Sequence, residues 1–399
     1  MQVVYLTTPT IGGVFSVYNG LRSALAVYGH RVTWLGSGSE AWNHCDGNAS
    51  TGNGEVVAGN TEDPRIRSEA LLSYLRSAEP DVVIINVLSG LVEMNIARYL
   101  PESISRIALV HSISPTTYRA ARAICPHVDL LAGVSPRIVS DLVQRGCDPH
   151  RTRLIPNAID GTRFCCRRPR VRGSALRLLL LGRLEDASKG INWVPDILRC
   201  VARRTQQFHL TVAGGGPDLE GFESKLFRYG VRHHVSFIGF VNQAEIAKLI
   251  TGHDVLLMPS RFEGFPMAML EAMAGGCVPV ASRIRGVTDY LVTHGESGLL
   301  FPVGDTKEAA AAIMRLASDA SMWGKYSNAA AAAARRFDWQ TRAKDVDALL
   351  ASIREQQRPL ATPMHEWELD PRLSNGWWHW LPASVKNRLR VVRERIVNR

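Results

Sequence analysis

Two glutamates stand eight residues apart in RFEGFPMAMLEAMA, the segment at residues 261–274. A strand-like run, 254–260, precedes this segment, and a helical pattern begins near Met267. Glu263 therefore lies in the loop before the helix, and Glu271 lies about one turn inside it. A carboxylate can accept two hydrogen bonds from a diol, and the free amides at a helix start bind phosphate. The spacing favours a ligand with two polyols joined by phosphate, although acids in a first helical turn are commonplace.

A second segment, GRLEDASKG at residues 182–190, supplies cations. Arg183 and Lys189 follow a predicted strand, and ligands of α/β sheets bind at the carboxyl ends of strands. Two cations there would balance the charge that builds on a leaving diphosphate. The alternative is a solvated basic loop. Gly264, between the two glutamates, allows the backbone to approach a ligand closely.

Three weaker candidates also follow predicted strands. Gly12 and Gly13 stand in TIGGV, which lacks the third glycine of the dinucleotide fingerprint G-x-G-x-x-G. Gly214 belongs to AGGGPD, and His111 belongs to LVHSISPTTY. Close approach to a ligand is one interpretation of each, and a plain turn or a structural histidine is the other.

Short apolar runs alternate with helical patterns twice along the chain, and this predicts two α/β domains with parallel sheets covered on both faces. Residues 37–62 are rich in Gly, Ser and Asn and predict a long loop, and the polar, basic residues 167–175 predict a linker. The predicted strands are 3–7, 31–36, 81–87, 106–112 and 130–135 in the first half, and 176–184, 208–216, 234–241, 254–260 and 278–282 in the second.

The ordered set of FEGFPMAMLEAMAGG, GRLEDASKG, the Gly-Gly loop and IPNAIDGTRF resembles the family 4 glycosyltransferases over roughly residues 1–345. This resemblance implies the GT-B fold, an α/β architecture of two Rossmann-like domains with parallel sheets that face across an inter-domain cleft. We expect an N-terminal acceptor-side domain at 1–166 and a C-terminal nucleotide-sugar domain at 167–340. A helix at 341–358 should return toward the N-terminal domain, and a basic aromatic tail follows at 359–399.

The resemblance also implies a role for each motif residue. Arg183 and Lys189 would hold the diphosphate, Glu271 would bind the ribose, and Glu263 would bind the transferred sugar. His111 would sit beside that sugar, so the catalytic group is predicted as Arg183, Lys189, Glu263 and His111. The nucleotide-sugar site would further include Gly12, Gly13, Gly214, Phe240, Gly264, Phe265, Pro266 and Met267.

Retention of anomeric configuration and catalysis without a metal are what the family implies. An internal return of the acceptor, with the leaving phosphate taking its proton, is favoured over a covalent intermediate on Glu263. The letters D-x-D at 345–347, a metal motif of another transferase fold, fall within a helical pattern and are interpreted as a solvated face. No metal and no cofactor are expected, since the nucleotide-sugar is a substrate.

Composition places the chain among ordinary globular proteins, with 46% hydrophobic and 21% charged residues. Neither a membrane-spanning run nor a signal peptide is expected. Seven scattered cysteines suggest a reducing cytoplasm. Much of the net charge of +10 lies in the tail, where seven basic residues and one acidic residue follow Pro371. Three tryptophans and a helix with one apolar face at 377–399 predict either contact with an anionic membrane or packing on the N-terminal domain.

The leading hypothesis is therefore a transferase that moves a sugar from a nucleotide-sugar to an unknown glycan or lipid-linked hydroxyl acceptor. A GT-B relative such as an epimerase or a phosphorylase is the alternative enzyme. A non-catalytic paralogue that binds a glycan or a membrane is the alternative outside enzymes. Nucleic acid is not an expected partner, because the basic excess sits in a tail without a recognised module.

Overall fold

The computed structural model describes residues 1–7, 13–43, 50–51, 53–87, 91–164, 173–355, 359–373 and 382–397. The chain divides into two units. Unit 1 comprises Met1–Ile159 and Trp339–Trp380, and unit 2 comprises Asp160–Asp338 and Leu381–Arg399. The division falls before Asp160 and not at residue 167, and it separates the two ends of the predicted tail. Most of the predicted linker lies outside the described residues.

Unit 1 contains a sheet whose strands are parallel except for the short β3, which runs antiparallel to β4. The spatial order is β3-β4-β2-β1-β5-β6-β7-β8. Its strands are β1 (Gln2–Leu6), β2 (Arg31–Ser37), β3 (Ser50–Thr51), β4 (Gly54–Val57), β5 (Val82–Asn86), β6 (Ser105–Val110), β7 (Leu130–Gly133) and β8 (Thr152–Leu154). Every residue of β5 is buried, as expected for a central strand of a sheet covered on both faces.

Helices connect these strands, and one helix returns from the far end of the chain. They are α1 (Gly13–Ala26), α2 (Gly38–Asn43), α3 (Pro64–Ala78), α4 (Leu91–Asn95), α5 (Pro115–Ile124), α6 (Pro136–Gln144) and α15 (Trp339–Glu355). The indole of Trp339 lies so close to Gly20 of α1 that a Cβ there would overlap it. Asp347 of α15 accepts a 2.7 Å hydrogen bond from His30. The close approach at Gly20 allows α15 to pack on α1, and the His30 contact ties α15 to the residue before β2.

Unit 2 contains a second sheet, which is parallel throughout and has the order β11-β10-β9-β12-β13-β14. Its strands are β9 (Leu176–Leu181), β10 (Phe208–Ala213), β11 (Val235–Gly239), β12 (Val255–Met258), β13 (Val278–Arg283) and β14 (Leu299–Pro302). The chain runs outward from β9 to one edge and from β12 to the other. The sheet therefore has its topological switch point between β9 and β12, where α/β proteins bind ligands.

Unit 2 has nine α-helices among its described residues. They are α7 (Asp186–Lys189), α8 (Val194–Ala202), α9 (Leu219–Arg228), α10 (Gln243–Thr251), α11 (Met267–Ala274), α12 (Thr288–Leu291), α13 (Thr306–Ser318), α14 (Ala320–Ala334) and α16 (Ala383–Val397). Leucines and valines of the strands form one core with α8, α9 and α13. The prediction of two α/β domains with parallel sheets is confirmed.

Two sequence-based expectations need correction. The predicted loop at 37–62 contains α2, β3 and β4, because β4 pairs with β2 and buries Val56 in spite of the polar composition around it. The strands β8 and β14 were not predicted at all. Among the described residues, no helix is long and apolar enough to span a membrane.

Candidate active site

Two loops leave the carboxyl ends of β9 and β12, side by side at the switch point of unit 2. The first carries the 182–190 segment and the second carries residues 259–266. Gly190 has a φ of +62°, and a Cβ there would lie 2.2 Å from the carbonyl oxygen of Pro259. Only glycine permits both the conformation and this approach. The close contact sets the two loops against each other.

Lys189 and Glu263 meet where these loops touch. The Lys189 Nζ donates to Glu263 Oε1 at 2.7 Å, and the Ser260 hydroxyl donates to the same oxygen at 2.7 Å. The Glu263 side chain is buried, whereas that of Lys189 remains about one-third exposed. The structure therefore brings two of the predicted catalytic residues into contact, and part of the Lys189 side chain is accessible to solvent.

Arg261 holds the same loops together, and the sequence analysis missed it. Its guanidinium donates to the carboxylate of Asp186 at 2.7 Å and to the Asp186 carbonyl at 2.8 Å. The group also lies 3.8 Å from the ring centroid of Trp193, a cation–π geometry. All three residues flank Lys189 or Glu263 in sequence. No local pattern signals this contact, because Asp186 and Arg261 belong to different motifs.

Arg183 contrasts with these engaged groups. It is exposed at the end of β9, and it has no ion pair with another described residue. Its planar fork of donors is suited to a phosphate. Arg183 and Lys189 thus place two cations in the segment that follows the carboxyl end of β9.

Glu271 is a buried residue of α11, and its carboxyl is a weaker acid than an exposed glutamate. Burial raises the pKa of Glu271 to about 7, against the opposing effects of a hydrogen bond with Gln243 and the charge of Arg163. The Arg163 guanidinium itself donates to the Gln243 carbonyl. Neither Gln243 nor Arg163 was a predicted site residue, although Arg163 lies in the family-like IPNAIDGTRF segment.

Gly214 and Phe240 lie at the carboxyl ends of β10 and β11. A Cβ on Gly214 would lie 2.0 Å from the Gly182 carbonyl oxygen, so glycine is required where the two loops cross. The Phe240 ring approaches Gly215 and is 75% exposed. An exposed aromatic face beside a glycine loop suits stacking with a nucleobase.

The remaining motif residues form the start of α11. Gly264 and Pro266 are buried, and Met267 opens the helix, whose first-turn amides have no partner within the helix. The Phe265 ring packs edge-on against Phe337, with ring centroids 5.7 Å apart. Phe265 can therefore offer a ligand only its backbone.

His111 belongs to unit 1 and lies just after β6. Its Nε2 is 2.7 Å from Asn86 Oδ1, and the Asn86 amide donates to the Leu6 carbonyl at 2.7 Å. The Asn86 oxygen must then accept, so the Nε2 atom of His111 carries a hydrogen and donates it. Burial lowers the pKa of His111 to about 4. Gly13 begins α1 in the same unit, and Gly12 lies outside the described residues.

The D-x-D carboxylates lie on α15 and have partners of their own. Asp347 binds His30, and Asp345 pairs with Arg342 at 2.9 Å. Within the described part of the chain, no three His, Cys, Asp or Glu side chains gather as metal ligands. Metal-independent catalysis stays a prediction.

Comparison with known proteins places the match in unit 2. Residues 175–319 match the family model described as "Glycosyl transferases group 1". A putative colanic acid biosynthesis glycosyltransferase, WcaL of Salmonella typhimurium, is 29% identical over 189 residues, 46% of either chain. Glycogen synthase of Mycobacterium tuberculosis is 31% identical over 210 residues, 52% of this chain and 50% of that one. The chain thus spans about half the length of these relatives.

Solved structures extend the likeness to most of the chain. A sucrose-phosphate synthase from Thermosynechococcus elongatus has a TM-score of 0.75 at 19% identity, over 89% of this chain and 99% of that one. HepE from Anabaena, solved with UDP and glucose, has a TM-score of 0.71 at 20% identity, over 88% and 100%. At such identities the likeness concerns the fold. Together with the family match over residues 175–319, it confirms the resemblance that the motifs predicted, and the chain has the GT-B fold.

Proposed function

We propose that this protein is a retaining, metal-independent glycosyltransferase that moves a sugar from a nucleoside diphosphate sugar to a hydroxyl acceptor. The observation that carries the proposal is the Lys189–Glu263 contact beside the exposed Arg183, at the switch point of unit 2. Relatives named as glycosyltransferases, and a structural neighbour solved with UDP and glucose, support the same donor class. Glycan, glycolipid or polysaccharide synthesis is the proposed setting.

The cations would act on the leaving group. An ammonium has three N–H donors, so Lys189 can keep its bond to Glu263 and still donate to a phosphate oxygen. Arg183 would add a second charged donor as the bond between the anomeric carbon and the phosphate oxygen breaks. The released phosphate would accept the proton of the acceptor hydroxyl, whose oxygen bonds to the anomeric carbon on the same face. Two cations would supply the charge balance that this step requires.

Glu263 fits a positioning role better than a nucleophilic one. One of its oxygens accepts hydrogen bonds from both Lys189 and Ser260. Those donors occupy lone pairs of this oxygen, so it is less available to attack an anomeric carbon. Glu263 would instead accept hydrogen bonds from hydroxyls of the transferred sugar. His111, neutral at physiological pH, would serve as a hydrogen-bonding group and not as an acid.

The experiment is a turnover assay with a panel of nucleoside diphosphate sugars and hydroxyl acceptors. We expect free nucleoside diphosphate and a new glycoside, whose anomeric configuration NMR shows to be retained. Lys189→Ala should abolish turnover, whereas Lys325→Ala, which removes an exposed lysine of α14, should not. Interconversion of nucleotide-sugars without nucleotide release would indicate the epimerase alternative. Release of nucleotide with inverted product would refute the retaining mechanism.

Helix α16 supports a membrane-surface partner for the same enzyme. Val385, Leu389, Val392 and Ile396 follow helical spacing and are 40–67% exposed. The exposed Arg388 lies among them, so an apolar stripe and positive charge share the open surface. This pairing suits the interface of an anionic membrane. The predicted tryptophan cluster, Trp377, Trp378 and Trp380, lies outside the described residues.

Flotation on anionic liposomes tests this partner. We expect the Leu389→Glu, Val392→Glu double variant to lose most of its flotation. Phe227→Glu, a matched change at a 78% exposed apolar side chain of α9, should keep it. Deletion of the whole tail is less informative, because Ala361 bonds the Pro126 carbonyl and its loss would disturb unit 1. Equal flotation of the wild-type protein and the double variant would end the membrane proposal.

A further inference from the structure

Two cysteines of unit 1 meet beside a cavity that the proposed transfer reaction does not use. Cys125 follows the last residue of α5 and is half-buried, and Cys147 follows α6 and is buried. Both are free thiols, and Cys125 Sγ donates to the Arg122 carbonyl at 3.4 Å. They line the same cavity of about 210 Å³, together with Pro126, Arg151 and other residues. The cavity gives a small molecule access to this pair.

The surroundings favour charge on one sulfur and not on the other. The neighbouring Cys147 thiol, helped by the charges of Arg122, Arg372 and Arg151, lowers the pKa of Cys125 to about 7. The neighbouring Cys125 thiol, together with burial, raises the pKa of Cys147. A thiolate beside cations at a cavity is the reactive form of cysteine. An adjacent thiol is the arrangement of a resolving group.

We propose that Cys125 is a site of oxidation by hydroperoxides and that Cys147 is its resolving thiol. The Cys125 sulfur attacks one peroxide oxygen, the O–O bond breaks, and the second oxygen leaves as hydroxide or alkoxide, which takes up a proton to become water or an alcohol. Cys125 is then a sulfenic acid. The Cys147 sulfur attacks it, an S–S bond forms, the S–O bond breaks, and water leaves. One peroxide is reduced, and the two thiols are oxidised to one disulfide.

Oxidation should also affect the segment at residues 359–373, which contacts residues that line this cavity. Arg151 donates to the Pro359 carbonyl at 2.8 Å, and the Ala361 amide donates to the Pro126 carbonyl at 3.0 Å. A neutral disulfide would remove the thiolate near Arg151 and Arg372. We therefore expect faster amide hydrogen exchange in residues 359–373 after oxidation. This proposal does not depend on nucleotide binding, so its failure would leave the proposed transferase untouched.

The test treats the reduced full-length protein with hydrogen peroxide and maps its peptides by mass spectrometry. We expect a peptide that links Cys125 to Cys147, lighter by two hydrogen atoms than its parts and restored by dithiothreitol. In Cys147→Ser, dimedone should trap sulfenic acid at Cys125. In Cys125→Ser, the linked peptide should be absent. Cys200→Ser, which changes a thiol of unit 2, should form the same linked peptide as the wild-type protein.

A second measurement keeps the proposal testable if a cysteine variant fails to fold. Arg122→Gln with Arg151→Gln retains both thiols and removes two of the three charges. Alkylation of Cys125 at pH 7 should then slow severalfold, because a smaller fraction is thiolate. The proposal is overturned if peroxide oxidises other cysteines while Cys125 and Cys147 stay reduced, or if the double arginine variant alkylates at the wild-type rate.

Discussion

Replacement of Glu271 by glutamine should stabilise the protein and yet weaken its proposed nucleotide site. Burial raises the pKa of this carboxyl from 4.5 to about 7. The folded state therefore favours the protonated form, and stability is lost as the pH rises from about 4.5 through 7. Glutamine is neutral at every pH and has a similar shape. The free energy of unfolding of the variant therefore does not fall as this carboxyl ionises, whereas that of the wild-type protein does.

The size of the effect follows from the shift in pKa. A shift of about 2.5 units corresponds to about 3 kcal/mol at pH 8, where both states of the wild-type carboxyl are mostly ionised. At pH 5 the same linkage leaves only about 1 kcal/mol. For a unit of this size, about 3 kcal/mol corresponds to a rise of roughly 6–12 °C in melting temperature.

Thermal unfolding at pH 5 and pH 8 measures this difference, with Trp193 and Trp323 of unit 2 as fluorescent reporters. Glu245→Gln, an exposed change on α10, is the matched control and should shift neither midpoint. The reasoning is refuted if Glu271→Gln destabilises the protein at pH 8, or if its gain is equal at the two pH values. A ribose diol would hydrogen-bond the charged carboxylate, so we also expect nucleotide affinity to rise between pH 6 and pH 8.

Three further predictions concern turnover. Arg261→Lys should lower kcat/KM at least about tenfold, because lysine lacks the fork that binds Asp186 and the plane that stacks on Trp193; wild-type kcat/KM would contradict a positioning role. Chelation with EDTA should leave steady-state turnover unchanged, and a loss restored by Mg²⁺ or Mn²⁺ would refute metal independence. The neutral His111 donor predicts that His111→Gln keeps more activity than His111→Phe, with no ionisation of this group in the rate profile above about pH 5. Equal losses in the two variants would argue against a hydrogen-bonding role.

The architecture was predictable because its signals are local. Runs such as VVIIN in β5 and LRLLLL in β9 are apolar almost throughout, as buried parallel strands require. Their alternation with helical patterns then leaves few arrangements. The prediction for the region around β4 was wrong because this strand depends on a non-local contact. Its Gly-, Ser- and Asn-rich composition predicts a loop, and pairing with β2 outweighs that preference.

The sequence identified the motif residues of the candidate site, but it did not predict most of the contacts that they make. The two motifs contain Lys189 and Glu263. Each motif follows a predicted parallel strand, so both residues were expected at the carboxyl ends of strands. The partners that tune them were missed, among them Arg261 on Asp186 and Gln243 on Glu271. Such contacts join distant segments through side-chain geometry. A single sequence carries no periodicity that reports them.

Calorimetric titration with UDP and with GDP tests the central claim most directly. We expect the wild-type protein and Lys189→Ala to differ by about tenfold to a hundredfold in affinity for one of the two nucleotides, since a hydrogen bond to a charged group contributes about 1.5–3 kcal/mol. Lys325→Ala should bind that nucleotide as the wild-type protein does. Failure of both nucleotides to bind, or wild-type affinity in Lys189→Ala, would contradict a nucleoside diphosphate site at the Lys189–Glu263 contact.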